Sequence, residues 1–184
     1  MRSTLFRVAL LLTLAGALAA KDPTPQIGGR FDLRDARTGL PATQASYQGR
    51  FRMVFFGFTH CPLTCPLGLH TINKVLAKMG KDAVQVQALF ITLDPNRDSA
   101  KVMAAYLAGF DPRIVGLVGK PKAIHAAMKD FRLEAERVGQ GDQVMFEHPS
   151  IIYVMGKNGE YLRTLSSNGD PDEMANELRT LIHG

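Results

Sequence analysis

The chain has 184 residues, of which 46% are hydrophobic and 21% charged, and a formal charge of +5. That composition suits one globular domain with a full core and excludes a disordered chain or a repeat array. The basic residues are scattered and not interleaved with aromatics, so they read as a solvated surface and exclude a nucleic-acid-binding face.

Residues 1–7 carry Arg2 and Arg7 and no acid, and residues 8–20, VALLLTLAGALAA, carry no charge. Ala17-Leu18-Ala19 follows as a small-x-small site. Basic, apolar, cleavable is the order of a secretory signal peptide, predicted over 1–19 with cleavage near Ala19. The uncharged run falls short of the ~20 residues that span a bilayer, so an uncut inner-membrane anchor is the lesser alternative. No cysteine near the end of the run offers a lipid-attachment site. Export implies a periplasmic, oxidising compartment. Residues 20–29, with Pro23, Pro25, Gly28 and Gly29, read as a linker ahead of a domain spanning 30–184.

FDLRDARTG (31–39) and the turn after it predict an entry hairpin. RMVFFGF (52–58) is a continuous apolar run, as in a strand buried on both faces of a parallel sheet. PLGLHTINKVLAKMG (66–80) places Leu67, Ile72, Val75, Leu76 and Met79 at helical spacing, with Pro66 in the first turn and Gly80 past the end. VQVQALFITL (84–93) predicts a second buried strand, broken by DPNRD. Residues 99–110 read as a helix, 114–119 as a short strand and 121–133 as a helix opened by Pro121. SIIYVM (150–155) and EYLRTL (160–165) flank Lys157-Asn158-Gly159, a hairpin signature in which Asn-Gly supplies positive φ angles. Asp170 then caps a helix to about Ile182. After the entry hairpin the order is β-α-β-α-β-α-β-β-α, which predicts a mostly parallel sheet with an antiparallel edge and helices on both faces.

GFTHCPLTCPLG (57–68) holds both cysteines, Cys61 and Cys65. Two thiols this close can be a disulfide, a redox couple or a pair of metal ligands. A five-residue loop gains only about 2 kcal/mol from closure, against nearly 5 for a hundred-residue loop, so a staple is a weak reason for the pair. Cys61 follows a buried strand and Cys65 stands at the mouth of a helix, where unpaired N–H groups lower a thiol's pKa. A spacing of four brings the side chains to one face of a turn. The placement favours a working dithiol.

A cysteine pair between strand and helix inside βαβ units is the thioredoxin arrangement, here with three intervening residues in place of two. GFTHCPLTCP, FITLDPNRD and FEHPSIIYVMGKNGEYL together resemble the SCO/SenC family, from about Gly28 to the C-terminus. The resemblance implies a thioredoxin-like α/β fold, with a central mixed sheet flanked by helices and an N-terminal hairpin. It implies one copper ion, Cu(I) or Cu(II), held by Cys61, Cys65 and His148. It also implies a chaperone role in assembling the copper centre of cytochrome c oxidase. The expected partners are subunit II of that enzyme or another cuproprotein, with a periplasmic thiol reductase or copper donor; the chain is expected to be monomeric. Asp94 and Arg97 match the family's D-P-x-R-D block, structural or near the site. Soft Cu(I) suits thiolates, and a neutral imidazole completes three-coordination.

The alternative is a thiol-disulfide oxidoreductase using Cys61 to attack and Cys65 to resolve; no separate peroxidatic motif accompanies the pair. Of the other histidines, His60 adjoins Cys61 but is expected to point away from it. His70, His125 and His183 read as surface residues. Where the family has Asp before the ligand histidine and Ser or Thr after it, this chain has Glu147 and Pro149. A cis His148–Pro149 bond would resemble thioredoxin and favour redox chemistry. A trans bond would simply start an edge strand.

Overall fold

The computed structural model describes residues 27–184. The expected signal peptide and most of the expected linker lie outside the described residues. The hairpin predicted at the entry is present as β1 (Asp32–Asp35) and β2 (Pro41–Thr43). There follow β3 (Phe51–Gly57), α1 (Thr64–Met79), β4 (Val86–Thr92), α2 (Ala100–Leu107), β5 (Ile114–Val118) and α3 (Pro121–Asp130). The chain ends with β6 (Glu136–Val138), β7 (Met145–Glu147), β8 (Ile151–Met155), β9 (Tyr161–Ser166) and α4 (Pro171–His183).

Seven strands form one sheet in the order β2-β1-β5-β4-β3-β8-β9. Only β3–β4 and β4–β5 are parallel; β1, β2, β8 and β9 all pair antiparallel. The expected mostly parallel sheet is therefore corrected to a parallel centre with antiparallel strands on both sides. The short connections β1–β2 and β8–β9 permit only antiparallel neighbours, whereas the βαβ crossovers demand parallel ones.

Alternation along the central strands makes two cores. Met53 and Phe55 of β3, Ala88 and Phe90 of β4, and Ile152 and Val154 of β8 pack with the buried faces of α1, α2 and α4. Val54, Phe56, Leu89, Ile91, Tyr153 and Met155 face the other way, onto Ile124 and Ala127 of α3 and onto Phe131. Side-chain period two turns an unbroken apolar run into both faces of a covered sheet.

The β8–β9 turn differs from the predicted one. Gly159 alone has positive φ, at 95°, while Asn158 does not. The loop is closed by Gly159 N–H to the Gly156 carbonyl (3.0 Å) and Gly156 N–H to the Glu160 carbonyl (2.7 Å). This longer loop needs only one residue in the left-handed region.

Parallel pairing in register sets Gly57 opposite Thr92, and Leu93 N–H extends it by donating to the Gly57 carbonyl at 2.7 Å. The loops after β3 and β4 thus leave the sheet side by side, at the carboxyl ends where α/β sheets place their sites. Gly57 is also a point of close approach, since a Cβ there would stand 2.7 Å from Cys65 Sγ and 2.7 Å from the Phe90 ring. A Gly57→Ala variant is expected to lose about 1–3 kcal/mol of stability through overpacking, measured by urea denaturation; an unchanged midpoint would show that the contact is not tight.

Candidate metal-binding dithiol site

Cys61 lies in the loop after β3 and Cys65 in the first turn of α1. Both are free thiols; Cys61 is 8% exposed and Cys65 is fully buried. The helix start leaves backbone N–H groups without intrahelical partners. One of them, Cys65 N–H, donates to Cys61 Sγ at 3.4 Å. The Thr64 hydroxyl lies 3.1 Å from the same sulfur.

These contacts divide the labour of the pair. Burial pushes the Cys61 thiol up, but hydrogen bonds from the Thr64 hydroxyl, the Cys65 backbone and thiol, and Leu63 outweigh it and hold the thiol below its ordinary value. Burial drives the Cys65 thiol far above the ordinary range, and its neighbour Cys61 adds to the rise. The more readily ionised and more nucleophilic thiol of the pair is therefore Cys61.

The segment 94–98 braces this loop from beneath. Asp98 is 1% exposed. Its carboxylate accepts from Thr59 N–H (3.1 Å), from the Thr59 hydroxyl (2.6 Å) and from the Thr92 hydroxyl (2.6 Å). Thr92 in turn accepts from Asp94 N–H at 2.9 Å. Arg97 pairs through Nε with the Asp94 carboxylate, and its Nη2 donates to the Val144 carbonyl at 2.6 Å.

Val144 stands just before β7, the second strand of a small antiparallel hairpin with β6. His148 follows that strand directly. Phe146 of β7 packs edge-on against Phe58, with ring centroids 5.3 Å apart. The dithiol loop and the His148 hairpin are thus tied to each other by one aromatic contact and by the Arg97 bridge.

His148 is half-buried, and its Nδ1 lies 3.0 Å from the Pro149 carbonyl. With Nδ1–H donating there, Nε2 carries the lone pair that a metal would take. Burial lowers the His148 pKa and the Pro149 contact partly opposes it, which favours the neutral, ligating form. The structure does not complete the set. Among the described residues, no three His, Cys, Asp or Glu side chains converge closely enough to hold a metal ion. His148 is brought to the same end of the sheet as the thiols but stands off them.

The His148–Pro149 bond is trans, since no described peptide bond is cis. The thioredoxin-like cis alternative is not met. Nor does Pro149 start an edge strand: β8 lies between β3 and β9. His60 is turned to the Thr59 hydroxyl, 3.0 Å from its Nδ1, and away from a ligand role. His70 is exposed and lies tilted against Phe110, with ring centroids 5.0 Å apart; His125 is exposed on α3; His183 sits 3.3 Å from Asp82. Thr59, Thr64, Phe58, Phe146 and Asp98 were not flagged by sequence as site residues. Only Asp98 carried a signal, as the last residue of the D-P-N-R-D block.

Comparison with known proteins accords with the fold. The SCO1/SenC family model matches residues 19–183. The SCO2-like protein of Rickettsia felis is 31% identical over 169 residues, 90% of this chain and 82% of the relative. Bradyrhizobium japonicum ScoI, solved with copper bound, is 38% identical with a TM-score of 0.77, over 84% of this chain and 98% of that one. Yeast Sco1, also solved with copper bound, is 31% identical with a TM-score of 0.78, over 86% and 89%.

Alkylation under reducing conditions is expected to label Cys61 first and Cys65 only after unfolding, with the Cys61 rate rising as pH approaches its lowered pKa from below; peptide mass spectrometry reads the order, and equal labelling would contradict the asymmetry. The mixed sheet is thioredoxin-like, its dithiol lies at a strand-to-helix junction, and the matches cover nearly the whole described chain: this protein belongs to the SCO1/SenC family.

Proposed function

We propose that the chain binds one copper ion through Cys61, Cys65 and His148 and assists assembly of a copper centre of cytochrome c oxidase in the periplasm. The observation that carries the reading is the adjacent pair of free thiols at the α1 mouth, one of them polarised by Thr64 and the helix N–H groups. Two thiols and a neutral imidazole are the donor chemistry that suits Cu(I). Relatives of 38% and 31% identity carry copper on the same fold, which supports the choice of metal. The export signal read at 1–19 supports the compartment.

Each residue has a task. Cys61 supplies the readily ionised thiolate. Cys65 is buried with its proton held tightly, so metal entry must displace that proton, and affinity rises with pH. Pro149 accepts from His148 Nδ1 and orients Nε2 as donor. The copper, bound as cargo, supplies the soft cation that the acceptor site requires.

A second reading, thiol-disulfide exchange, is favoured by the unequal thiols. Cys61 thiolate attacks a partner disulfide to form a mixed disulfide. Cys65 then gives up its proton and displaces the partner, which leaves with two electrons as a dithiol. Oxidation to Cys61–Cys65 removes both sulfur ligands, so the two activities exclude each other at any instant and imply a reductant. The trans His148–Pro149 bond removes the support a cis proline would have lent this reading.

Anaerobic Cu(I) titration against a chromophoric chelator tests the proposal. One tight site per chain is expected, abolished in Cys61→Ala and weakened by roughly tenfold or more in His148→Ala; no stoichiometric binding, or binding indifferent to His148, would overturn it.

A further inference from the structure

Leu63 stands between the two cysteines in sequence and Leu67 just beyond the second, and the side chains of both are left in water. Leu63 is 62% exposed and Leu67 48%. Leu67 N–H donates to the Leu63 carbonyl at 3.2 Å, so the two side chains stand one turn apart on the same face of the α1 entrance. The core takes the other face of the helix, through Cys65, Leu69 and Ile72. Pro62, just before them, is exposed as well.

Charge is missing from the same region. Between Arg52 and Lys74 the chain has no Asp, Glu, Lys or Arg. Burial accounts for this along β3, which is enclosed on both faces. It does not account for the loop after β3 or the outer side of α1, where His60, Pro62, Leu63, Thr64 and Leu67 meet water. A lone exposed leucine is ordinary; adjacent ones on a surface without charge mark a place of contact.

The sulfur beside this surface decides what covers it. Cys65 is fully buried, so Cys61, still 8% exposed, is the sulfur that a partner reaches. Leu63 donates its backbone N–H to that sulfur, and its exposed side chain stands at the rim of the opening. We propose that Pro62, Leu63 and Leu67 form the docking surface for a partner protein that presents its own cysteine on an uncharged, apolar loop. This docking rests on the reading of Cys61 as the point of exchange, whether the partner takes copper there or is reduced there. In thiol exchange the Cys61 thiolate attacks the partner sulfur and a Cys61–partner disulfide forms. The sulfur formerly bonded to the partner leaves as a thiolate with the bonding electron pair.

Short peptides with one cysteine, held as a mixed disulfide with thionitrobenzoate, test this on the intact reduced protein. One peptide carries leucines on both sides of the cysteine and the other carries serines. Release of coloured thionitrobenzoate reads the second-order rate, and each rate is divided by that of the same peptide with free glutathione. The leucine peptide is expected to react about tenfold faster than the serine peptide, the gain from partial burial of apolar side chains. In the double variant Leu63→Ala, Leu67→Ala that preference is expected to vanish while the serine peptide reacts as before. Val84→Ala removes an apolar side chain, 69% exposed, just before β4 at the other end of the sheet, and is expected to keep the preference. Equal rates for the two peptides, a preference that survives the double change, or one lost equally in Val84→Ala would overturn the proposal. Peptide exchange involves no copper, so failure here leaves the Cu(I) titration untouched, and failure of that titration leaves this test in force.

Discussion

The buried Asp98 carboxylate is the constraint on which the site depends. Parallel, in-register pairing of β3 with β4 makes two loops leave the sheet together. Asp98 joins them by accepting from Thr59 on one and Thr92 on the other. A buried carboxylate stripped of such donors costs several kcal/mol, so the loops cannot separate cheaply. Two residues beyond Thr59 stands Cys61, where the chain turns toward the first N–H groups of α1. From the same short segment, Arg97 reaches the Val144 carbonyl and holds the hairpin that ends in His148. A block of five residues therefore ties the loop that carries the thiols to the hairpin that precedes His148.

Unequal thiols follow from where that brace puts them. Cys61 lies at the edge of the core, still 8% exposed, and collects donors, while Cys65 is enclosed by Gly57 and the core around Phe90. A soft cation needs both thiolates; a disulfide exchange needs one ready thiolate and one held in reserve. The geometry serves both chemistries, and the histidine is what separates them. His148 is anchored by the Pro149 carbonyl, and the hairpin before it rests against the dithiol loop through the Phe58–Phe146 contact.

Local sequence carried the central strands, because RMVFFGF and ALFITL are too apolar to lie anywhere but between two helical layers. It also carried α1 and α4, whose ends are marked by Gly80 and by Asp170. Strand direction at the sheet edges was less legible, since it is set by connection length and not by side chains. The β6–β7 hairpin escaped because its strands have three residues each, are half-exposed, and lack an Asn-Gly turn. Its only local marks are Gly139 and Gly141 at positive φ. The dithiol was plain from spacing and from its place before a helix. The part of Asp98 was not, because a buried acid and a surface acid are the same letter until tertiary contacts are known. The isomer of His148–Pro149 is likewise decided by packing and not by the dipeptide.

A double-mutant cycle on Cu(I) affinity tests most directly whether the 94–98 segment delivers His148 to the thiols. Arg97→Ala and His148→Ala are compared singly and together, with folding checked by circular dichroism. If Arg97 acts by holding the hairpin, each single change weakens binding by about tenfold and the double variant binds no more weakly than His148→Ala alone. Losses that simply add, or an Arg97→Ala variant with undiminished affinity, would contradict the brace.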